Sequence, residues 1–272
     1  MVICDIENWM KKKKLKLNNG KTEAMIIGSK HQTDKYSDFK NISVSGEDVE
    51  LSSSLKDLGF IVDKNLTCKE QIKKTINTAN HSLRNIAFIK KYLDEDSMKK
   101  LVHNLIVGRL DYCNALYYDL PACDLRKLQM VLKRSARLIT GITRRERITP
   151  ILIDLHWLPV KARIEFKICV LTFNAISTGK PKYFKKMLEN PNVRSDVRIG
   201  HVRDHHRLYE PRYNKNIGKR SFKNCAPRLY NRLPSEIKDA KSTVVFRKKL
   251  KTYLFEKCYN LDDNTITEQY KL

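Results

Sequence analysis

The stretch GRLDYCNALYYDLP, residues 108–121, holds the most suggestive group of reactive side chains in the sequence: the Cys113 thiol, with Asp111, Tyr112 and Asn114 beside it. Three chemistries compete for such a set: nucleophilic catalysis, metal binding and plain packing. A catalytic thiol needs a histidine to take its proton, and local sequence does not supply one here. Cys113 sits among apolar residues on a predicted helix, where a thiol serves as a small hydrophobe. Leu110, Cys113, Leu116 and Tyr117 recur at helical spacing and predict a packed face. Asp111 and Asn114 then become surface or inter-helix hydrogen-bonding groups, not catalysts.

Metal chemistry has no better footing. The sequence has no C-x-x-C, no zinc-knuckle spacing and no H-E-x-x-H. Cys113 and Cys123 are ten positions apart, across a proline. His201, His205 and His206 lie in an Arg-rich stretch with no Cys or carboxylate at a supporting spacing. Two-metal phosphoryl transfer needs carboxylates set a few ångströms apart by a sheet. The one Asp-Asp pair, Asp262-Asp263, has no apolar strand run before it. There is no G-x-S-x-G, P-loop or G-x-G-x-x-G. No catalytic residue and no metal ligand is expected. The seven cysteines are odd in number and scattered, which fits reduced thiols.

The chemistry that remains is cationic. Lys and Arg number 54 against 30 acidic residues, a net charge of +24. That excess repels itself in a compact chain unless a polyanion neutralises it, and nucleic acid is the first candidate. On a helix over 124–140, Leu125, Leu128, Val131, Leu132, Ala136, Leu138 and Ile139 fall on one side. Arg126, Lys133 and Arg137 fall on the other, flanked by Lys127 and Arg134. On a helix over 69–91, Lys73, Asn80, Arg84 and Lys91 run beside the stripe Ile72, Ile76, Ala79, Leu83 and Ile86. TRRER (143–147) adds Arg144 and Arg145, and FRKKLKTY (246–253) adds more. The expected nucleic-acid contacts are therefore Lys73, Arg84, Lys91, Arg126, Lys133, Arg134, Arg137, Arg144 and Arg145. Contacts to phosphate alone give affinity without sequence choice.

The elements that must position these cations read as mainly α with a small N-terminal β-rich piece, an α+β chain. Ile3, Ile6 and Met10 predict a helix over 1–10. It has no N-cap before it, as if the chain began in mid-domain. Asn18-Asn19-Gly20 predicts a turn, 24–27 a strand, NISVSGEDVELS two strands around Gly46, and LKDLGFIVDKNL one strand with a glycine inside it. Helices follow over 68–91 and from the Asp94–Asp96 cap to Tyr118. Two more are bounded by Pro121 and Gly141 and by Pro159 and Gly179. Residues 181–220 read as a basic loop or linker. Residues 221–260 read as a C-terminal helical region with Ser242 as an N-cap, and 261–272 as a frayed tail. The domain boundaries expected are 1–67, 68–180, 181–220, 221–260 and 261–272. No apolar run is long enough to cross a membrane.

Seven stretches, in order, resemble the C-terminal part of non-LTR retrotransposon (LINE, jockey-like) reverse transcriptases. They are IENWMKKKKLKLNNGKTEAMIIG, LKDLGFIVDKNLTCKEQI, RLDYCNALYYDLP, LQMVLKRSARLITG, ITPILIDLHWLPVKARIEFKICVLTFNA, RSFKNCAPRLYNRLP and FRKKLKTYLF. The resemblance implies a truncated palm remnant over 1–67, followed by a helical thumb-like bundle. It implies that Lys21 lies near the incoming nucleotide and that Leu58, Gly59 and Phe60 belong to a primer grip. It makes the helices from Lys69 onward a thumb that grips template–primer duplex. The partners implied are RNA or RNA–DNA duplex and an N-terminal polymerase half. The family's aromatic-x-Asp-Asp strand is not in this sequence, so the fragment is not expected to polymerise alone. Mg2+ is implied only for the full-length family enzyme, and no cofactor for this chain. Nuclear or cytoplasmic residence follows from the implied partner. Other readings stay open: a transposable-element relic without function, a protein-interaction module docking through Trp157, Tyr183 and Phe184, or an active polymerase with its other half upstream. Residues 1–63, made to pack on a palm sheet, are expected to be less stable than a core over 68–178.

Overall fold

The computed structural model describes residues 2–44, 46–189, 207–262 and 265–272. It is mainly helical, with 61% of residues in helix and only short strands. It divides into two units, Met1–Lys74 and Thr75–Leu272.

In the first unit, α1 (Val2–Lys12) carries Asp5 in its first turn and Lys11 and Lys12 in its last, charges that complement the helix dipole. It leaves Ile3, Ile6 and Trp9 exposed. Ala24 makes a single bridge to Leu51, so the strand expected over 24–27 does not form. Its backbone is met by isolated bonds, such as the Ser52 amide to the Ala24 carbonyl at 2.9 Å, and not by a ladder. In α2 (Lys30–Lys35), Gln32 Oε1 accepts from the Ser29 amide at 3.3 Å and holds the first turn. The strands β1 (Asn41–Val44) and β2 (Glu47–Glu50) pair antiparallel. LKDLGFIVD forms a second hairpin, not one strand: β3 (Ser54–Asp57) pairs with β4 (Phe60–Asp63). The reason is backbone handedness. Leu58 (φ 45°) and Gly59 (φ 88°) both take positive φ, the geometry of a two-residue turn matched to strand twist. Among the described residues of this unit, the buried apolar side chains are Val44, Val49, Phe60, Cys68 and Ile72. The Asp63 carboxylate accepts from the Thr67 amide at 2.9 Å and the Cys68 amide at 2.7 Å, which closes the entry to α3 (Lys69–Ile89).

The second unit begins within α3, which tightens into a 3-10 turn over Lys90–Tyr92. Asp94 caps α4 (Glu95–Val102), accepting from the Ser97 amide at 3.2 Å. A π-helical turn over His103–Val107 leads to α5 (Gly108–Asp111). The expected continuation to Tyr118 fails at Cys113, whose φ of 52° breaks the helix before a 3-10 turn over Asn114–Tyr117. Leu110 and Tyr117 are buried, but Leu116 is exposed and Cys113 only half-buried, so the predicted four-residue face does not exist.

Pro121 opens α6 (Ala122–Thr140), and Gly141 (φ 76°) ends it in a left-handed cap. The helices α7 (Thr149–Asp154) and α8 (Val160–Thr178) follow. Pro159 starts α8 and Gly179 stops it. Next come α9 (Lys182–Leu188), α10 (Asn216–Arg220), α11 (Phe222–Asn231), α12 (Ser235–Lys238) and α13 (Thr243–Cys258). Two of these, α9 and α10, fall where a loop was expected over 181–220. Ser242 Oγ accepts from the Val245 amide at 3.3 Å and caps α13. The centre of this unit is α8, against which α11 and α13 pack. Phe173 stacks on Phe246 at 4.2 Å between ring centres.

The segment after Asn260 is not frayed where it is described. The strands β5 (Tyr259–Asn260) and β6 (Thr265–Ile266) pair antiparallel. The Tyr270 ring is buried and its hydroxyl donates to Glu165 Oε2 at 2.7 Å. A buried aromatic with a satisfied polar tip outweighs the fraying of a polar terminus. His201, His205, His206 and Asp263 lie outside the described residues.

Candidate nucleic-acid interface

The inner face of α6 is formed by Leu125, Leu128, Val131, Leu132, Ala136 and Ile139, all buried, with Leu138 half-buried. Its outer ridge carries Arg126, Lys133 and Arg137. Partial burial pushes the Lys133 ammonium below the ordinary lysine range, and Arg137 and Arg126 push it the same way. Lys133 thus shares its ridge with two like charges, though burial is the larger cause of the shift. An anion set on the ridge would offset the repulsion and favour the charged ammonium.

Arg137 has a second task. Its Nε donates to the Thr143 carbonyl at 3.3 Å and its Nη2 to the Glu146 carbonyl at 3.4 Å. The Glu146 carboxylate accepts from the Thr143 amide at 2.7 Å and hydroxyl at 2.9 Å, bonds that hold its pKa below the usual range. In TRRER, therefore, Thr143 and Glu146 close the turn, and Arg144, Arg145 and Arg147 stand exposed.

Two side-chain bonds connect α6 to α3 and to the 3-10 turn that follows it. Arg134 Nη1 donates to Asn80 Oδ1 at 3.4 Å, and Lys90 Nζ donates to the Leu138 carbonyl at 2.8 Å. The second places an ammonium at the negative end of α6 and on an orphan carbonyl. Arg84 and Lys91 are exposed on the α3 side of this junction. Arg84 lies one turn after Asn80 and Lys91 directly follows Lys90, so predicted cations flank both bonds in sequence, and Arg137 braces the loop that carries Arg144 and Arg145. Arg126 and Lys133 continue the ridge along α6.

The remaining predicted residues lie elsewhere. Lys73 is exposed within the first unit, as is Lys21, in the 3-10 turn over Asn19–Lys21. Leu58, 88% exposed at the β3–β4 turn, and Phe60, buried in the core, point to different surroundings. The Gly59 carbonyl accepts from Lys74 Nζ at 3.4 Å. The FRKKLKTY cations sit on α13, which packs on α8 and α12.

Sequence reasoning missed two residues at the junction. Phe88 is 82% exposed and Tyr92 74% exposed, beside Lys91, whose ammonium lies over the Tyr92 ring at 4.8 Å from its centre. The signal was the string Phe-Ile-Lys-Lys-Tyr over 88–92, aromatic rings interleaved with cations.

Cys68, Cys169, Cys225 and Cys258 are buried, Cys113 is half-buried, and Cys4 and Cys123 are exposed. Burial pushes Cys225 up to about 12, and Cys169 and Cys258 well above the ordinary thiol range. Asp111 accepts from Arg163 Nη1 at 2.8 Å and from Asn114 Nδ2 at 3.3 Å, the inter-helix role expected of it. Trp157 is buried, so it cannot serve the exposed docking trio proposed for it with Tyr183 and Phe184. Among the described residues no group of three or more His, Cys, Asp or Glu is placed to hold a metal ion. None of their helices is long and apolar enough to cross a membrane. Compared with known protein families, curated proteins and solved structures, the chain matches none.

Proposed function

We propose that the second unit is a nucleic-acid grip: the thumb and C-terminal region of a LINE-type RNA-directed DNA polymerase, holding RNA or RNA–DNA duplex by its phosphates. The observation that carries this reading is the junction of α3 and α6. Cations from two helices and one loop are drawn together there by Lys90, Arg134 and Arg137, which bind backbone and amide oxygens instead of carboxylates. Arg137 also lies near the Glu146 carboxylate, while Lys90 and Arg134 make no ion pair among the described residues, and cations held in this way suit a phosphate backbone. The order of the seven family-like stretches supports the same reading and supplies the implied partner, an N-terminal polymerase half carrying the catalytic carboxylates and their Mg2+. The first unit then holds Lys21 and the Leu58–Gly59 turn as its family-like nucleotide and primer contacts. Catalysis is not proposed for the chain alone.

The test is the salt dependence of binding to a blunt RNA–DNA hybrid. Four to six phosphate contacts predict a log–log slope of about −4 to −5, a loss of a few hundredfold between roughly 50 and 200 mM salt. A slope near zero, or no binding at the lower salt, contradicts the proposal.

A further inference from the structure

We infer that Phe88 and Tyr92 form a stacking platform for unpaired bases, so the α3–α6 junction takes the single-stranded part of a nucleic acid. The inference rests on the reading of this face as a phosphate grip and names what else the ligand must offer. Ile86, two residues before Phe88, is buried, and α3 is anchored through it. Phe88 and Tyr92 are the reverse, with 82% and 74% of their surfaces in solvent.

Ile89, 39% exposed, adds apolar surface between the rings, and the cations Lys90 and Lys91 interrupt it before Tyr92. Arg84 lies one turn before Phe88, and Ile89, Lys90 and Lys91 separate Phe88 from Tyr92. At 100° per residue, Arg84, Phe88 and Lys91 share one stripe of the helix. Such alternation of ring and cation suits a strand that alternates base and phosphate. Lys90 is committed to the α6 carbonyl, so Lys91 and Arg84 are the cations nearest the rings in sequence that face solvent. An unpaired base offers both faces to a side chain, whereas paired bases inside a duplex are covered by their stacked neighbours. A fully paired duplex would use the arginines and leave the rings idle.

The test compares the full chain with its Phe88→Ala, Tyr92→Ala and Phe88→Leu variants by fluorescence anisotropy. The probes are a mixed-sequence RNA strand of about 16 nucleotides and a blunt RNA–DNA hybrid of equal length. Alanine at either position is expected to weaken single-strand binding by roughly five- to hundredfold. Hybrid binding should stay within about twofold, since the phosphate contacts remain. Leucine, which keeps bulk but no π face, should not restore the loss. Equal effects on both probes, no effect on either, or full rescue by leucine would overturn the platform. Binding of the hybrid but not the single strand by the unaltered chain also overturns it, while leaving the phosphate grip standing. Binding of neither overturns both. Salt-tolerant self-association abolished by Phe88→Ala would give the rings to a second copy of the chain, again overturning the inference.

Discussion

Lys90 and Leu138 are tied by one bond: the Lys90 ammonium donates to the Leu138 carbonyl at 2.8 Å, fastening the end of α3 to the last turn of α6. Gly141 completes the arrangement. It turns the chain at φ 76°, and a Cβ there would come within 3.4 Å of the same ammonium. Lys90→Met is expected to destabilise the chain by about 1 kcal/mol, the worth of a charge-assisted bond at a helix end. Gly141→Ala is expected to cost about as much, through positive φ. Urea denaturation of the second-unit signal checks both. Because the two changes act on one corner, their double variant should lose less than the sum.

The bend at Cys113 is braced by Arg163. Its Nε donates to the Leu158 carbonyl and its Nη1 to Asp111, both at 2.8 Å, bracing the chain just before the left-handed turn at Cys113. Cys113→Val should destabilise by about 1–2 kcal/mol, since a β-branched residue resists positive φ, whereas Cys113→Gly should be tolerated. Asp111→Asn should cost about 1–2 kcal/mol, and little of that should remain in an Arg163→Met background. A valine variant as stable as the glycine variant would contradict the turn assignment.

Glu165 links stability to pH. Burial raises its carboxyl above the ordinary range, against the pull of the Tyr270 hydroxyl bond and of Lys257, Lys161 and Arg232. The folded chain therefore holds this proton more tightly than the unfolded chain. Its contribution is full below the ordinary carboxyl range and is lost as pH rises through the raised folded value. Glu165→Gln keeps an acceptor for Tyr270 and removes the titration. Its stability relative to the unaltered chain should rise with pH across that window. A difference that stays flat from about pH 4 to 8 would refute the assignment.

The first unit exposes Ile3, Ile6, Trp9, Leu15, Ile27, Tyr36 and Phe39. With few apolar side chains withdrawn from water, it should open at lower free energy than the second unit. Limited proteolysis should cut within residues 1–63 while the α6–α8–α13 assembly persists. Early cuts inside α6 or α8, with 1–63 intact, would reverse the order.

Helices with local stop and start signals were legible in the sequence: Asp94, the Pro121–Gly141 and Pro159–Gly179 pairs, and Ser242 each act within a turn of their own residue. The misread elements depend on distant partners or on handedness. Tyr270 is held by Glu165 from far along the chain, the bend at Cys113 is braced by Arg163, and the hairpin at Leu58-Gly59 depends on a left-handed leucine. The cationic stripes of α3 and α6 were visible as periodicity. That Lys90, Arg134 and Arg137 join them, and that Phe88 and Tyr92 stay exposed to solvent, depends on tertiary contacts that periodicity does not carry.

The most direct measurement is a titration of the chain with a blunt RNA–DNA hybrid, beside a variant with Arg134, Arg144 and Arg145 each changed to Glu. All three are exposed; Arg134→Glu also removes the bond to Asn80, so a matching thermal midpoint is needed to show that the fold survives. The account predicts salt-sensitive binding by the unaltered chain, weakened at least about a hundredfold in the variant, with the salt slope shallower by about three. Equal binding by both proteins would contradict a phosphate grip at the α3–α6 junction.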